Sequence, residues 1–513
     1  HIKNYTKTKI LMKILLINPP VYTPTTLPYS LAAMKGELAA ALDEDITVLD
    51  LNASFHYQEF PEFYQKLKST TNESYFKLLE DFYNHAKQTY AKISKAAIKL
   101  CQSKYIKKIE IKDSKSINVT HLSESPGVLA LKPNVSDLEV SEESQEEEKK
   151  EEEPIDIQEL VNQIINQKPN VVAISVTYNS QIFMTKVIIE KLQETNSEIK
   201  IIIGGPADYS KIIQINPSIT NLASAQKLIE YLETNGAKKR SVAKVAVPDF
   251  SDFNKDHYFT KDIVYPIRTS IACPYKRCTF CTHHGNKNYK QFDLKNLKQT
   301  ILTNNIKKIC FIDDDLTPKR LIEISEILQP LNVTWWCQLR PIKQIQPALE
   351  IAAKAGLTSV AWGLESGNQR VLDLIQKGTN LADIKETLRL AKKLNIKNQL
   401  YILFGFPTET RVEFKDTVNF LKENKDNIHL VSPSIFGLQY GSKTFESPEL
   451  FDIKDIKLQE RTLLSAKISY KTNSGLTQKE TKQLKRIHNH ALNKINKFPK
   501  IISVFKEQIL NLE

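Results

Sequence analysis

No stretch of the 513 residues approaches the run of roughly 18 apolar residues that a membrane-spanning helix requires. The nearest thing to a leader is Ile14 to Ile17 behind a few lysines, and Asn18-Pro19-Pro20 cuts it too short for a signal peptide. Cysteine is sparse: there are six, and half of them fall between positions 273 and 281. That usage argues against a disulfide scaffold and fits a reducing compartment, so a cytoplasmic location is expected. Also missing is any basic, aromatic-interleaved run of the RNA-binding kind. The net charge of +12 comes mostly from scattered lysines, which reads as solvated helix surface and argues against nucleic acid as a partner.

What remains is an ordinary globular composition, 41% hydrophobic and 25% charged, with room for several domains. Residues 1–11 read as an upstream extension, because Met12 to Asn18 looks like a natural start running straight into a strand. Apolar runs at Met12–Asn18, Ile46–Leu51, Val171–Val176 and Ile199–Ile203 alternate with helical patterns at Ser30–Leu42 and Ile182–Gln193. This is the signature of an open, doubly wound α/β sheet, whose ligands bind at the carboxyl ends of the strands. Those ends are Asn18-Pro19-Pro20, Thr177 to Ser180, and Gly204-Gly205-Pro206. Between the second and third strands lies an insertion at about 57–154. Tyr57 to Tyr105 should form two or three helices, and Glu139 to Pro154 is a low-complexity acidic tract. Ala207 to Ser224 reads as polar and irregular.

After a basic linker at 238–256, six strand-helix units follow in steady rhythm. Strands are expected at Ile263–Ile271, Ile309–Asp313, Val333–Cys337, Ser359–Trp362, Gln399–Phe404 and His429–Ser434. They imply a partial (β/α)6 barrel over 257–445, with reactive groups on the loops after the strands. A helical cap is expected over 446–513.

The chain is organised around Ser270 to His284, S-I-A-C-P-Y-K-R-C-T-F-C-T-H-H. Cys273, Cys278 and Cys281, spaced C-x4-C-x2-C on a loop leaving a strand, read as metal ligands. Three thiolates could hold three irons of a [4Fe–4S] cube, leaving the fourth iron open. With His283 or His284 they could instead make a tetrahedral zinc site. That second reading would fit a non-enzymatic scaffold with a basic surface for nucleic acid. Cys310 and Cys337, inside strands, read as buried hydrophobes.

The motif C-P-Y-K-R-C-T-F-C resembles the cluster motif of radical SAM enzymes, with one residue more in the first loop than the common spacing. The chain looks most like the subgroup with an N-terminal cobalamin-binding-type domain. Further segments carry the resemblance at successive strand ends: Phe311 to Asp315, Trp336 to Pro341, Trp362 to Asn368 (G-x-E-x-G) and Phe404 to Thr410 (G-x-P-x-E-T). The resemblance implies a [4Fe–4S] cluster on the three cysteines and S-adenosylmethionine (SAM) held by Phe280, Asp313, Arg340, Gly363, Glu365, Gly367 and Gly405. It implies a flavodoxin or ferredoxin as electron donor and a small molecule or peptide as substrate. Cobalamin at Asn18, Thr177, Ser180, Gly204 and Gly205 would make methyl transfer the expected outcome; without it, cyclisation, rearrangement or oxidation is expected. Two departures bear on cobalamin. There is no D-x-H-x-x-G segment to supply a histidine to the cobalt, and the glycine-rich segment expected after the fourth strand is missing.

Overall fold

The computed structural model describes residues 11–105, 156–242, 244–285 and 288–512. The acidic tract at Glu139–Pro154 lies outside them, as does the upstream extension apart from Leu11. Five parallel strands open the chain: β1 (Lys13–Asn18), β2 (Asp45–Asp50), β3 (Val171–Ser175), β4 (Lys200–Gly204) and β5 (Thr220–Asn221), in the order β2-β1-β3-β4-β5. Every residue of β3 is buried, and only Lys13 of β1 is exposed. Central strands covered by helices on both faces read as continuous apolar runs for this reason. The order reverses between β1 and β3, which makes their carboxyl ends the switch point of the sheet.

The stretch at Ala207–Ser224, expected to be irregular, contains a helix at Ser210–Ile215 and the edge strand β5. Ile212 and Ile219 supply the buried contacts that hold both in place. The insertion begins with helices at Leu51–Glu59, Pro61–Ser69 and Asn72–Tyr105. Their aromatic face meets the second half of the chain: Phe82 stacks on Phe259 with ring centroids 3.9 Å apart, and Tyr64 meets the same ring edge-on at 5.2 Å. Such pairs contribute about 0.5–1.5 kcal/mol each beyond the area they bury. The segment at 238–256 is tied down rather than loose. Arg240 donates to the carbonyls of Ala39 and Leu42 at 3.0 Å each, while Phe250 and Phe253 are buried.

The second sheet has six parallel strands in unbroken order. They are β6 (Tyr265–Ile267), then, after the small pair β7 (Ser270–Ile271) and β8 (Lys290–Gln291), β9 (Lys308–Phe311), β10 (Thr334–Leu339), β11 (Leu357–Glu365), β12 (Lys397–Phe404) and β13 (Leu430–Ile435). Its outward residues, among them Phe311, Trp335, Trp362 and Leu400, pack on the helices, whereas Cys310, Ile312, Trp336, Ala361 and Leu430 face the N-terminal half. The sequence suggested a single strand at Ile263–Ile271, and the structure divides it. The amide of Thr269 donates to the Asp313 carboxylate, at 3.1 Å to each oxygen, instead of continuing the ladder. The chain turns there and delivers the cysteine loop.

The last segment is not wholly helical. It starts with an antiparallel hairpin, β14 (Ile453–Gln459) and β15 (Lys467–Thr472), before a helix at Gln478–Ile495. Two short 3-10 turns, Lys500–Ser503 and Lys506–Asn511, then pack against strands of the second sheet. There Gln508 accepts from Tyr75 at 2.7 Å and from Thr260 at 2.9 Å, and Glu507 accepts from Thr25 at 2.8 Å. No described helix is long and apolar enough to cross a membrane.

Candidate active site

The cysteine loop folds through two left-handed residues, Ala272 and Lys276, each at φ +61°. Lys276 lies inside the C-x4-C spacing, and its carbonyl accepts from Gly285 N–H at 2.9 Å, closing the loop on itself. All three thiols are free and half-buried. Burial pushes Cys273 up to about 11 and Cys281 up to about 12, and raises Cys278 as well. Backbone N–H groups oppose that shift: those of Tyr275 and Lys276 point at the Cys273 sulfur, and that of His283 lies 3.4 Å from the Cys281 sulfur. Donors aimed at sulfur stabilise thiolates, so the loop suits a group that binds deprotonated cysteine. The neighbouring histidines point elsewhere. His283 Nε2 lies 3.3 Å from Asp314, and His284 Nδ1 is 3.1 Å from the Arg277 carbonyl. Among the described residues no three His, Cys, Asp or Glu side chains converge as a single metal ion would require.

The loop is anchored from the far side of the barrel. Thr279 N–H donates to the Ile375 carbonyl at 3.0 Å, and Tyr275 Oη to that of Gln376 at 2.9 Å. Gly378 permits the second contact, because a Cβ there would sit 2.2 Å from Tyr275 Oη.

The three consecutive aspartates after β9 diverge instead of repelling one another. Asp313 is spent on Thr269 and Ser270, Asp314 lies beside His283, and Asp315 receives Arg340 Nε at 3.1 Å and Arg340 N–H at 3.2 Å. Burial is the main influence on Asp313 and Asp315 and raises both, with Ser270 and Arg340 respectively the first groups opposing it. Thr317 caps the following helix. The Arg340 guanidinium lies 3.6 Å from the Tyr275 ring centre, covering the face of the cysteine loop. A cavity of ≈ 360 Å³ opens here, lined by Pro274, Tyr275, Arg277, Asp315, Thr317 and Arg340 among others.

On the opposite side Glu365 ends β11 at φ +69°, after a register shift between Gly363 and Glu365. It accepts from Lys377 Nζ at 2.9 Å, and a Cβ at Gly363 would lie 2.6 Å from that nitrogen, so glycine makes room for the pair. Burial works against the ammonium, but Glu365, Cys278 and Asp315 outweigh it and raise the Lys377 pKa. Phe280, between the second and third cysteines, packs its ring 5.9 Å beneath the same ammonium. Cys273, Cys278, Cys281, Phe280, Arg340, Gly363 and Glu365 are therefore brought to one mouth of the barrel.

Asp313 braces the root of that loop with both carboxylate oxygens used. Gly367 and Gly405 serve close packing, since a Cβ on each would meet Phe420 and Thr481 at 2.6 Å. Sequence reasoning passed over Lys377, Tyr275 and Asp315. Only the pairing of a lysine with a strand-end glutamate twelve residues earlier could have pointed to the first.

At the switch point of the N-terminal sheet the expected set is mostly committed internally. Asn18 donates to Asp50 at 2.8 Å and accepts from Gln181 at 3.0 Å. A Cβ at Gly204 would meet the Leu222 carbonyl at 2.8 Å, and one at Gly205 that of Val176 at 2.3 Å. Thr177 uses its N–H on Gln181, and the buried Ser180 Oγ is left without a partner. Only the loop after β3 thus retains a polar group suited to a bound cofactor there. His56 is no candidate for cobalt: buried between Asn52 and Tyr90, it is lowered to about 3 by burial.

The curled six-stranded parallel sheet thus carries a cysteine triplet at its mouth. Residues 267–421 match the model of the Radical SAM superfamily. The superfamily implies a [4Fe–4S] cluster, SAM, a reductant and a substrate. The chain is 28% identical over 191 residues to the bacteriochlorophyllide d C-12(1)-methyltransferase of Chlorobaculum tepidum, covering 35% of this chain and 42% of that protein. It is 26% identical over 195 residues to an uncharacterized methyltransferase of Pyrococcus horikoshii, covering 36% of this chain and 42% of that one. The chain thus spans less than half the length of these relatives. The radical SAM methyltransferase TsrM of Kitasatospora setae, solved with cobalamin and a [4Fe–4S] cluster, matches with a TM-score of 0.55 at 13% identity. That match covers 95% of this chain and 89% of TsrM. The likeness extends through both sheets, so the N-terminal domain has the fold found beside the barrel in cobalamin-dependent radical SAM enzymes.

Proposed function

We propose that Cys273, Cys278 and Cys281 hold three irons of a [4Fe–4S] cluster and that SAM occupies the mouth between Arg340 and the Lys377–Glu365 pair. The observation that carries this reading is the loop itself, three thiols, two of them under backbone N–H donors, facing two buried ion pairs. When bound and reduced, the cluster supplies the electron that cleaves SAM to a 5′-deoxyadenosyl radical. The chain's part is placement and charge: Arg340 and Lys377 offer cations to the SAM carboxylate, and Glu365 offers an acceptor to its ammonium or ribose. Buried walls keep water from the reacting atoms. A flavodoxin or ferredoxin supplies the electron, and the substrate is a small molecule or peptide whose unreactive C–H is attacked. Anaerobic reconstitution should give about four irons per chain and a reduced-state EPR signal that shifts with SAM. Stoichiometric zinc in protein handled without oxygen would refute it.

A second reading adds cobalamin at the switch point, with methyl transfer as the outcome. It is supported by the two-domain likeness to a cobalamin-bound methyltransferase and by the unpaired Ser180 Oγ on the loop after β3. The commitments of Asn18, Gly204 and Gly205 confine any hold on the cofactor to Thr177 and Ser180. Titration with hydroxocobalamin under anaerobic conditions tests it: cobalamin retained after desalting supports methyl transfer. Cobalamin lost on desalting leaves a radical enzyme free of that cofactor.

A further inference from the structure

The inner face of the barrel carries polar groups that its own fold does not satisfy. Tyr401 on β12 pairs in register with Ser432 on β13 and with Gly363 on β11, one position below Ile402, the residue level with Glu365. The Tyr401 hydroxyl and the Ser432 hydroxyl are both buried without a hydrogen-bond partner, as are Gln399 Oε1 and the Trp336 indole nitrogen deeper on the same face. Orphaned buried polar atoms are uncommon in native folds and call for an unseen partner.

A cation joins them from outside the barrel. The turn Lys506–Asn511 packs against β10 and β11, and its first residue sets Lys506 Nζ 4.2 Å from the centre of the Tyr401 ring. Among the described residues that ammonium has no hydrogen bond and no ion pair. Glu365 is paired with Lys377, and Glu507, whose charge acts on Lys506 through space, directs its hydrogen bonds to Thr25 and Gln508. Burial brings Lys506 down to about 8, with Glu507 the first charge opposing the shift. An ammonium over the Tyr401 ring, with the unpartnered hydroxyls of Tyr401 and its register neighbour Ser432 on the same face, offers donors suited to an oxyanion.

We propose that Lys506, Tyr401 and Ser432 bind an anionic group of the substrate, a carboxylate or a phosphate, within the barrel beneath the SAM site. The inference rests on the radical SAM reading and adds the substrate class. It assigns the C-terminal turn a role in specificity: this segment, outside the barrel units, supplies the charge that selects the substrate. Neutral substrates would leave the ammonium unpaired and be disfavoured.

Reductive methylation of the full-length, cluster- and SAM-loaded protein, read at Lys506 by peptide mass spectrometry, tests this without requiring the substrate. Inorganic phosphate and benzoate serve as probes, and the exposed Lys500 is the internal control. One of the two anions should protect Lys506 and leave Lys500 unaffected; protection by phosphate assigns a phosphorylated substrate, and protection by benzoate a carboxylic acid. Tyr401→Phe and Ser432→Ala should each raise the half-protecting concentration by about tenfold, as expected for a lost hydrogen bond to a charged group. Lys506 methylation unchanged by either anion, or protection equal to that at Lys500, overturns the proposal. Wild-type iron content and SAM cleavage, measured on the same preparation, show separately whether the reading beneath it stands.

Discussion

Lys377 Nζ lies 2.9 Å from Glu365 Oε1, and both side chains are close to nine-tenths buried. The two come from different turns of the barrel, one at the end of β11 and one after the helix at Gln369–Leu374. A buried ion pair contributes little net stability, but removing one partner strands a charge in a low-dielectric site and costs about 3–5 kcal/mol. Lys377→Met and Glu365→Gln should each lower the midpoint of urea unfolding strongly, and the double variant should recover a large part of the loss. A double variant equal to the sum of the singles would mean that the residues act independently.

Iron retention should separate the two kinds of cysteine. Cys273, Cys278 and Cys281 share one loop, whereas Cys310 and Cys337 are fully buried inside β9 and β10. Replacing any of the first three by Ser should reduce the iron bound after anaerobic reconstitution to a small fraction. Cys310→Ser and Cys337→Ser should keep their iron, at the expense of core packing. Full iron in Cys278→Ser would remove the loop from consideration.

The anchoring of that loop predicts a defect at a residue with no chemistry of its own. Gly378 has φ +67°, where a side chain is strained, and its missing Cβ leaves space for Tyr275 Oη. Gly378→Ala should break the Tyr275–Gln376 bond and displace the cysteine loop while the barrel still folds. The expected result is weaker iron retention with a near-normal far-UV circular dichroism spectrum. Unaltered iron binding would show that the loop holds its shape without this support.

Much of this architecture was legible because it rests on period and order. Parallel strands buried on both faces appear as apolar runs, and the cysteine loop and strand-end glycines kept their spacing. Tertiary competition was not legible. The strand expected at Ile263–Ile271 breaks because Thr269 prefers a carboxylate 44 residues away in sequence, and no local pattern encodes that choice. The aspartates at 313, 314 and 315 look like one charged cluster in the sequence, yet each turns to a different partner contributed by a distant element. Lys377 carries no local signal, because its role depends on a glutamate reached only after the sheet has curled. The hairpin of β14 and β15 hid behind a lysine-rich composition that suggested solvated helix.

The final prediction concerns pH and the turn after β12. Glu409 is 1% exposed; one carboxyl oxygen accepts from Gly405 N–H, and the other is buried without a partner. Burial raises its pKa to about 8, with the Gly405 N–H only partly opposing the shift. In the unfolded chain the same group ionises near its ordinary 4.5. Between those two values the folded protein holds a proton that the unfolded chain has released, so stability falls as pH rises. One retained proton gives a slope of about 1.4 kcal/mol per pH unit. The effect is absent below the lower value and complete above the upper one. Glu409→Gln removes the ionisation and keeps the acceptor for Gly405. Urea unfolding at pH 5, 6.5 and 8 should find the variant gaining on the wild type with each step. A constant difference across that range would mean that the carboxyl is already ionised in the folded protein.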